Sequence, residues 1–270
     1  DKESIYNICQ KNNLKIKKED IYTIDNTCTT GLSLITTAAQ GIQLGNWKNV
    51  LICAIDTVEV KETYSLSSLG AFAHGFLDPS ESSRPFDKGR NGFVKTESAS
   101  LALVTPDRQS LSDNFLFKIK SFSQTNDAYR ITDGRDDGKY IKHAMEQCLS
   151  RANISSEDLA FIKSHGTGTR LNDQHEAEAI LNLFGSKIPI TSLKGHLGHT
   201  TDASGLVETI IAADALKNKN TILPTRNCPD LEYNINLIRG KKIELRKTNF
   251  LSNSFGFGGN NISAVICVDP

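Results

Sequence analysis

The stretch GLVETIIAADAL at 205–216 is apolar around most of its circumference when wound as a helix, so it has no face suited to water. Such a helix must be enclosed, and the chain has to supply layers on more than one side of it. A second segment makes a similar demand. In CTTGLSLITTAAQGIQLG at 28–45, Leu32, Ile35, Ala39 and Ile42 fall on one helical face, Asn26 or Thr27 can cap the start, and Gly45 suits the stop. The continuous apolar run VLICAI at 50–55 then has the pattern of a strand covered on both faces. Two buried helices, each entered through a polar loop, predict a layered α/β fold with an internal pseudo-repeat.

The remaining segments fit around that frame. The Lys-rich stretch 1–20 reads as a solvated surface helix and loop, and 21–24 as a short strand. Residues 61–92 form a long irregular segment with short helical pieces, and SRPFDKGRNGF at 83–93 is loop chemistry. Strands are expected at 98–104 and 115–122, separated by a turn around Pro106 and Asp107. An amphipathic helix follows at 139–152, with capping character at 155–159. Then come a strand at 161–164, a helix at 174–184 and a strand at 188–191. Further strands at 243–245 and 262–268 are joined by the glycine-rich SFGFGGNN. No Gly/Ser linker divides the chain, which favours one domain.

Composition excludes several classes. The 31 basic and 31 acidic residues cancel, so a strongly basic nucleic-acid binder is not the default. No run of 18 apolar residues suggests a membrane span, and the start does not resemble a signal peptide. The six cysteines form no CxxC pair and no zinc-type cluster with histidine, so no metal is expected. They read as reduced thiols of a cytoplasmic protein. Cys53 and Cys267 lie in apolar runs and are expected to be inert core thiols.

Cys28 stands where a strand feeds a helix. Unpaired N–H groups and the helix dipole at such a place favour a thiolate, as an acyl-accepting nucleophile needs; a thiol merely packed under the turn is the alternative. His165 ends a strand in SHGTGTRLNDQHEAEA, and His199 precedes the buried helix in SLKGHLGHTTDASG. Two histidines in glycine-rich strand-to-helix junctions point to chemistry more than one would. Lys194 can bias an imidazole's protonation, or pair with a carboxylate such as Glu176, which alone reads as a helix-surface residue. Gly256 and Gly258 let the main chain approach a ligand and present N–H groups, as an oxyanion hole requires; a ligand-free hairpin is the alternative. That loop opens no long helix, so it is not a dinucleotide fingerprint.

Taken in order, NTCTTG around Cys28, SRPFDKGRNGF, HGTGT at 165–169, the Lys194-to-His199 spacing and FGFGGNN at 255–261 closely resemble the β-ketoacyl synthases of the thiolase superfamily, over roughly 20–268. The resemblance implies a thiolase-like αβαβα fold of two halves, 1–110 carrying the nucleophile and 111–270 carrying both histidines. It implies a Cys28–His165–His199 centre supported by Lys194 and Glu176, with backbone N–H groups of Cys28 and Phe257 as oxyanion donors and Phe257 as gatekeeper. It implies a decarboxylative condensation of an acyl-cysteine with a malonyl-type thioester, in fatty-acid or polyketide synthesis. No cofactor is implied beyond the phosphopantetheine arm of an acyl carrier protein. A two-fold homodimer is implied too. Lys241, Lys242, Arg246, Lys247, Lys217 and Lys219 are candidates for meeting an acidic carrier, each also readable as a solvated face.

The departures from the family pattern are Thr27 before the cysteine, Thr29-Thr30-Gly31 after it, Arg170 after HGTGT, Thr96-Glu97-Ser98-Ala99-Ser100, and Asn260. They spare the three catalytic side chains and suggest a polyketide-type branch. Two other classes fit less well: a catalytically silent partner in a heterodimer, which would lack the cysteine, and a thiolase-type relative, which would pair one histidine with a second cysteine. The family's nucleophile normally follows a first set of strands and helices, whereas Cys28 lies near the start. The expectation is therefore a fragment with an incomplete N-terminal half, unstable or inactive alone.

Overall fold

The computed structural model describes residues 2–106, 115–132, 134–135 and 137–268. The expected turn at Asp107 lies outside the described residues. In chain order come α1 (Lys2–Lys11), α2 (Thr30–Gln43), β1 (Val50–Asp56), α3 (Val60–Ser68), β2 (Ser98–Val104), β3 (Lys118–Asn126), α4 (Lys139–Ala152) and β4 (Leu159–Lys163). They are followed by α5 (Arg170–Phe184), β5 (Ile190–Thr191), α6 (Lys194–Leu197), α7 (Ser204–Lys219), β6 (Thr221–Ile222), β7 (Ile243–Glu244), β8 (Asn249–Gly256) and β9 (Asn260–Cys267).

Five strands form one sheet in the order β3-β9-β8-β4-β5. β9 runs antiparallel to both neighbours, and β8, β4 and β5 are mutually parallel. A separate antiparallel ladder joins β1 to β2. The two buried helices lie between these sheets. Leu32 and Ile35 of α2 and Leu206 and Ala213 of α7 share one core with Ile52 of β1 and Phe250 and Ala264 of the larger sheet. On the opposite face of that sheet, Met145 of α4 and Ile180 of α5 pack with Ile162, Leu251 and Val265. The result is four layers, sheet–helices–sheet–helices, of a thiolase-like arrangement. The outer face of the β1–β2 ladder stays open: Leu51, Ile55, Leu101 and Leu103 are exposed.

The two buried helices touch at their starts. A Cβ added to Gly31 would stand 2.5 Å from the Leu206 nitrogen, and one added to Gly205 would stand 2.4 Å from the Leu32 nitrogen. Only glycine at both positions lets the backbones meet this closely.

Some local expectations change. Residues 21–24, expected as a strand, form none among the described residues. Cys53 is exposed rather than core, because alternate residues of β1 face the uncovered side of its ladder. The helix expected from 174 begins at Arg170. The largest omission is β8, which already contains Ser254, Phe255 and Gly256 of the glycine-rich motif. Its sequence NFLSNSFG interleaves polar residues that read as loop, yet it is buried almost throughout. Partners inside the protein make this possible: the Ser252 and Thr209 hydroxyls lie 2.9 Å apart, and Ser263 Oγ donates to Asn253 Oδ1 at 2.8 Å.

Candidate active site

Cys28 lies in a 3-10 turn, Thr27–Thr29, that runs directly into α2. The turn is tied by hydroxyls: Thr29 Oγ1 donates to Asn26 O at 2.7 Å and Thr30 Oγ1 to Thr27 O at 2.8 Å. Thr27 is held at φ +51°, an outlier for a β-branched residue, and strain of this kind gathers at functional sites. Its hydroxyl donates to Phe257 O at 3.3 Å, linking the turn to the end of β8. Gly256 is needed there, since a Cβ would stand 2.8 Å from Thr27 Oγ1.

The two histidines reach the same place from the larger sheet and from the second buried helix. His165 follows β4, and His199 stands between α6 and the 3-10 turn Thr201–Ala203 that opens α7. His199 is clamped to the preceding loop, its N–H donating to Val94 O at 2.7 Å and its carbonyl accepting from Thr96 N at 3.1 Å. Both rings are almost fully buried. They stand edge to face, centroids 5.4 Å apart at 82°, with Phe93 against His199 and Phe255 against His165. Cys28, His165, His199, Gly256 and Phe257 line one cavity of about 360 Å3, together with Arg170 and His175. Gly258 is not among its lining residues, and its N–H donates to Ile131 O at 2.6 Å.

Lys194 Nζ donates to His165 O at 2.9 Å and lies 3.3 Å from His165 Nδ1. An ammonium has only donors, so His165 Nδ1 accepts and the ring proton of the neutral imidazole sits on Nε2. His199 Nδ1 lies 2.9 Å from Ser204 Oγ, a hydroxyl able either to donate or to accept. Burial, then the Lys194 charge, hold both imidazoles well below the usual histidine range.

The carboxylate that pairs with Lys194 is not Glu176. Glu208 Oε1 accepts from Lys194 at 2.6 Å, and Glu208 Oε2 accepts from Lys163 at 3.0 Å. Glu176 is no surface residue either, being fully buried. Its two oxygens accept the His165 N–H at 2.9 Å and the Gly166 N–H at 2.8 Å, so it holds the main chain under His165 rather than the ring. Burial pushes its carboxyl up to about 7 against those donors. Lys163 and Glu208 escaped the sequence reading, although a signal existed: Lys163 ends the apolar run LAFIK, and Glu208 lies with Asp214 in the otherwise apolar and small GLVETIIAADAL.

The thiol also departs from expectation. Burial pushes Cys28 up to about 11, with the Lys194 charge pulling the other way. Desolvation outweighs the favourable helix start, so the resting group is a thiol. Among the described residues no His/Cys/Asp/Glu cluster suits a metal ion, and no helix is long and apolar enough to cross a membrane.

This scaffold has the thiolase-like fold. The sequence matches the family descriptions "Beta-ketoacyl synthase, N-terminal domain" over residues 20–110 and "Beta-ketoacyl synthase, C-terminal domain" over residues 116–229, and the chain belongs to the β-ketoacyl synthase family. It is 31% identical over 252 residues to the 3-oxoacyl-[acyl-carrier-protein] synthase 2 of Coxiella burnetii, covering 90% of this chain and 61% of that protein. It is 28% identical over 269 residues to the tetracenomycin polyketide synthase ketoacyl synthase alpha subunit of Streptomyces glaucescens, covering 96% of this chain and 63% of that one. Among solved structures, a β-ketoacyl synthase from Burkholderia phymatum superposes with a TM-score of 0.85 at 25% identity, over 90% of this chain and 60% of that chain. A type II polyketide ketosynthase in complex with its acyl-carrier protein and bound to a hexaketide gives a TM-score of 0.89 at 23% identity, over 98% and 66%. The chain thus spans about 60% of the length of the curated relatives it matches.

Proposed function

We propose that this chain carries the reaction centre of a β-ketoacyl-acyl carrier protein synthase, with residues 1–110 supplying the nucleophile and 111–270 both histidines. The observation that carries the reading is the pair of buried, perpendicular imidazoles sharing one cavity with Cys28. In the first half-reaction Cys28 attacks a carrier-bound acyl thioester. His199, with Nδ1–H turned to Ser204, takes the thiol proton on Nε2 and returns it to the departing pantetheine sulfur. Backbone N–H groups of Cys28 and Phe257 stabilise the tetrahedral oxyanion. In the second half-reaction a malonyl-type thioester loses carbon dioxide, and the electrons of the broken C–C bond form an enolate. His165 Nε2–H donates to its oxygen, joined by His199 once its ring proton has exchanged with solvent from Nδ1 to Nε2 and Ser204 donates to Nδ1. The enolate carbon attacks acyl-Cys28, the sulfur leaves as a thiolate that takes a proton from solvent to restore the resting thiol, and a β-ketoacyl thioester is released.

The partner is an acyl carrier protein, and a second copy of the chain is expected across a two-fold axis. Lys241, Lys242, Arg246 and Lys247 are exposed and available to an acidic carrier. Lys217 is not, since its ammonium bonds Phe115 O and covers the Phe115 ring. Arg170, exposed yet lining the cavity, is placed to meet an anionic group at its mouth. The free cysteines fit a cytoplasmic setting.

The test is incubation with acyl and malonyl carrier proteins, read by intact-mass spectrometry and carbon dioxide release. Against the expectation of an inactive piece, the assembled cavity should let the chain gain an acyl adduct at Cys28, and Cys28→Ala should lose it while keeping the fold. Acyl loading that persists in Cys28→Ala would remove the thiol from the mechanism.

A further inference from the structure

Lys163 ends β4, a strand buried along its whole length, and is itself 0% exposed. A charge in such a place is costly unless paired. It does not stand alone: Lys163 Nζ donates to Glu208 Oε2 at 3.0 Å and to Asn253 O at 2.5 Å. The other oxygen of that carboxylate holds Lys194, which in turn lies on His165. Two ammonium groups therefore share one carboxylate beside the reactive ring.

The charge count matters. A Glu208 free to turn both oxygens on Lys194 would make a neutral pair and cancel much of the lysine's field at His165. Burial lowers the Lys163 pKa and Glu208 pulls it back up, with Lys194 opposing; with Lys163 held as an ammonium on one oxygen, the trio keeps a surplus positive charge. The other groups facing His165 do not offset it. Glu176 of α5 accepts from the His165 and Gly166 main chain and from the Asn253 amide of β8. Burial pushes its carboxyl up to about 7, so below that pH it is largely protonated and carries little charge to offset the cations. His199 is uncharged, Phe255 is apolar, and Cys28 rests as a thiol. Lys95, which adds to the field on His199, is positive as well.

We propose that Lys163 is a positioning residue of the condensing centre: by holding Glu208 it leaves Lys194 turned on His165, and the surplus charge keeps that ring neutral with its proton on Nε2. This rests on His165 acting as a neutral donor to the enolate. A neighbouring cation lowers an imidazole's midpoint, and Lys163 itself contributes in that direction.

The test is 15N NMR of histidine-labelled protein, with the His165 signals assigned by their loss in His165→Gln. In the native chain the ring should stay neutral down to pH 5. In Lys163→Met and Lys163→Gln the midpoint should rise by about one unit, the size expected for removal of a nearby charge. Gln retains a donor, so a native midpoint in a folded Lys163→Gln protein would make the residue merely structural and overturn the proposal. Should neither variant fold, 15N-lysine spectra of the native chain decide: Lys163 must be an ammonium at pH 7, and a neutral amine overturns the role. The acid limb of malonyl-thioester decarboxylation should move upward with the NMR midpoint. A native chain that releases no carbon dioxide while its His165 midpoint responds to Lys163 would sink the proposed reaction and leave this role standing. Decarboxylation with an unresponsive midpoint would do the reverse.

Discussion

At the scale of single residues, the cavity is governed by desolvation. Cys28 carries its proton at rest because burial, with a thiol pushed up to about 11, outweighs the pull of Lys194. Its alkylation by iodoacetamide should therefore still be accelerating between pH 8 and pH 10, followed by mass spectrometry; a plateau near pH 7 would mean a thiolate. Glu176 makes a second case. Its folded carboxyl titrates about 7 against a usual 4.5, so the native state binds that proton more tightly than the unfolded chain. The sign follows: on this group's account stability grows as pH falls from about 7 toward 4.5, and is lost again as pH rises through 7. Replacing it by Gln leaves one of two backbone N–H groups without an acceptor. Urea unfolding of Glu176→Gln should show a loss of about 1–3 kcal/mol, the cost of a buried unsatisfied donor.

At the scale of elements, the site is assembled by junctions. Cys28, His165, His199 and Lys194 each lie within a few residues of a helix start or a strand end, and the two central helix starts are in backbone contact. Gly31→Ala or Gly205→Ala forces a methyl group into that contact. Each should lower stability by about 1–3 kcal/mol, as overpacking does, and should slow acyl loading even where the protein remains folded; thermal melts with loading assays check both. This is also where sequence reading succeeds and stops. The helix after Cys28, the second buried helix and the junctions that carry both histidines were legible, because apolar periodicity and glycine-rich loops are local signals. The Lys194–Glu208 pairing was not, because it joins two turns of chain through space and Glu176 offered an equally plausible partner. β8 was missed because Ser252 and Asn253 find their hydrogen-bond partners only in the folded protein. Cys53 was misplaced because an apolar run says nothing about whether its second face is covered.

At the scale of the whole molecule, the layers are unequal. The larger sheet has helices on both faces, whereas the β1–β2 ladder is covered on one side and presents Leu51, Ile55, Leu101 and Leu103 on the other. A contiguous exposed apolar face promotes association. The chain by itself should self-associate in sedimentation at micromolar concentration, and Leu101→Lys with Leu103→Lys should reduce that association without changing the melting temperature by more than a few degrees. Unchanged association would place the sticky surface elsewhere.

The crossing of Gly31 and Gly205 gives the molecule a fixed datum. Because main chain meets main chain there, the spacing between the thiol turn and the imidazole loop is set by atoms that every sequence shares. The cavity wall answers to different residues, among them Leu69, Ala71, Ile141 and Leu171. What the pocket admits can thus drift through ordinary side-chain exchange while the reacting atoms keep their alignment. A library built on this scaffold should randomise the wall and leave the two helix starts untouched.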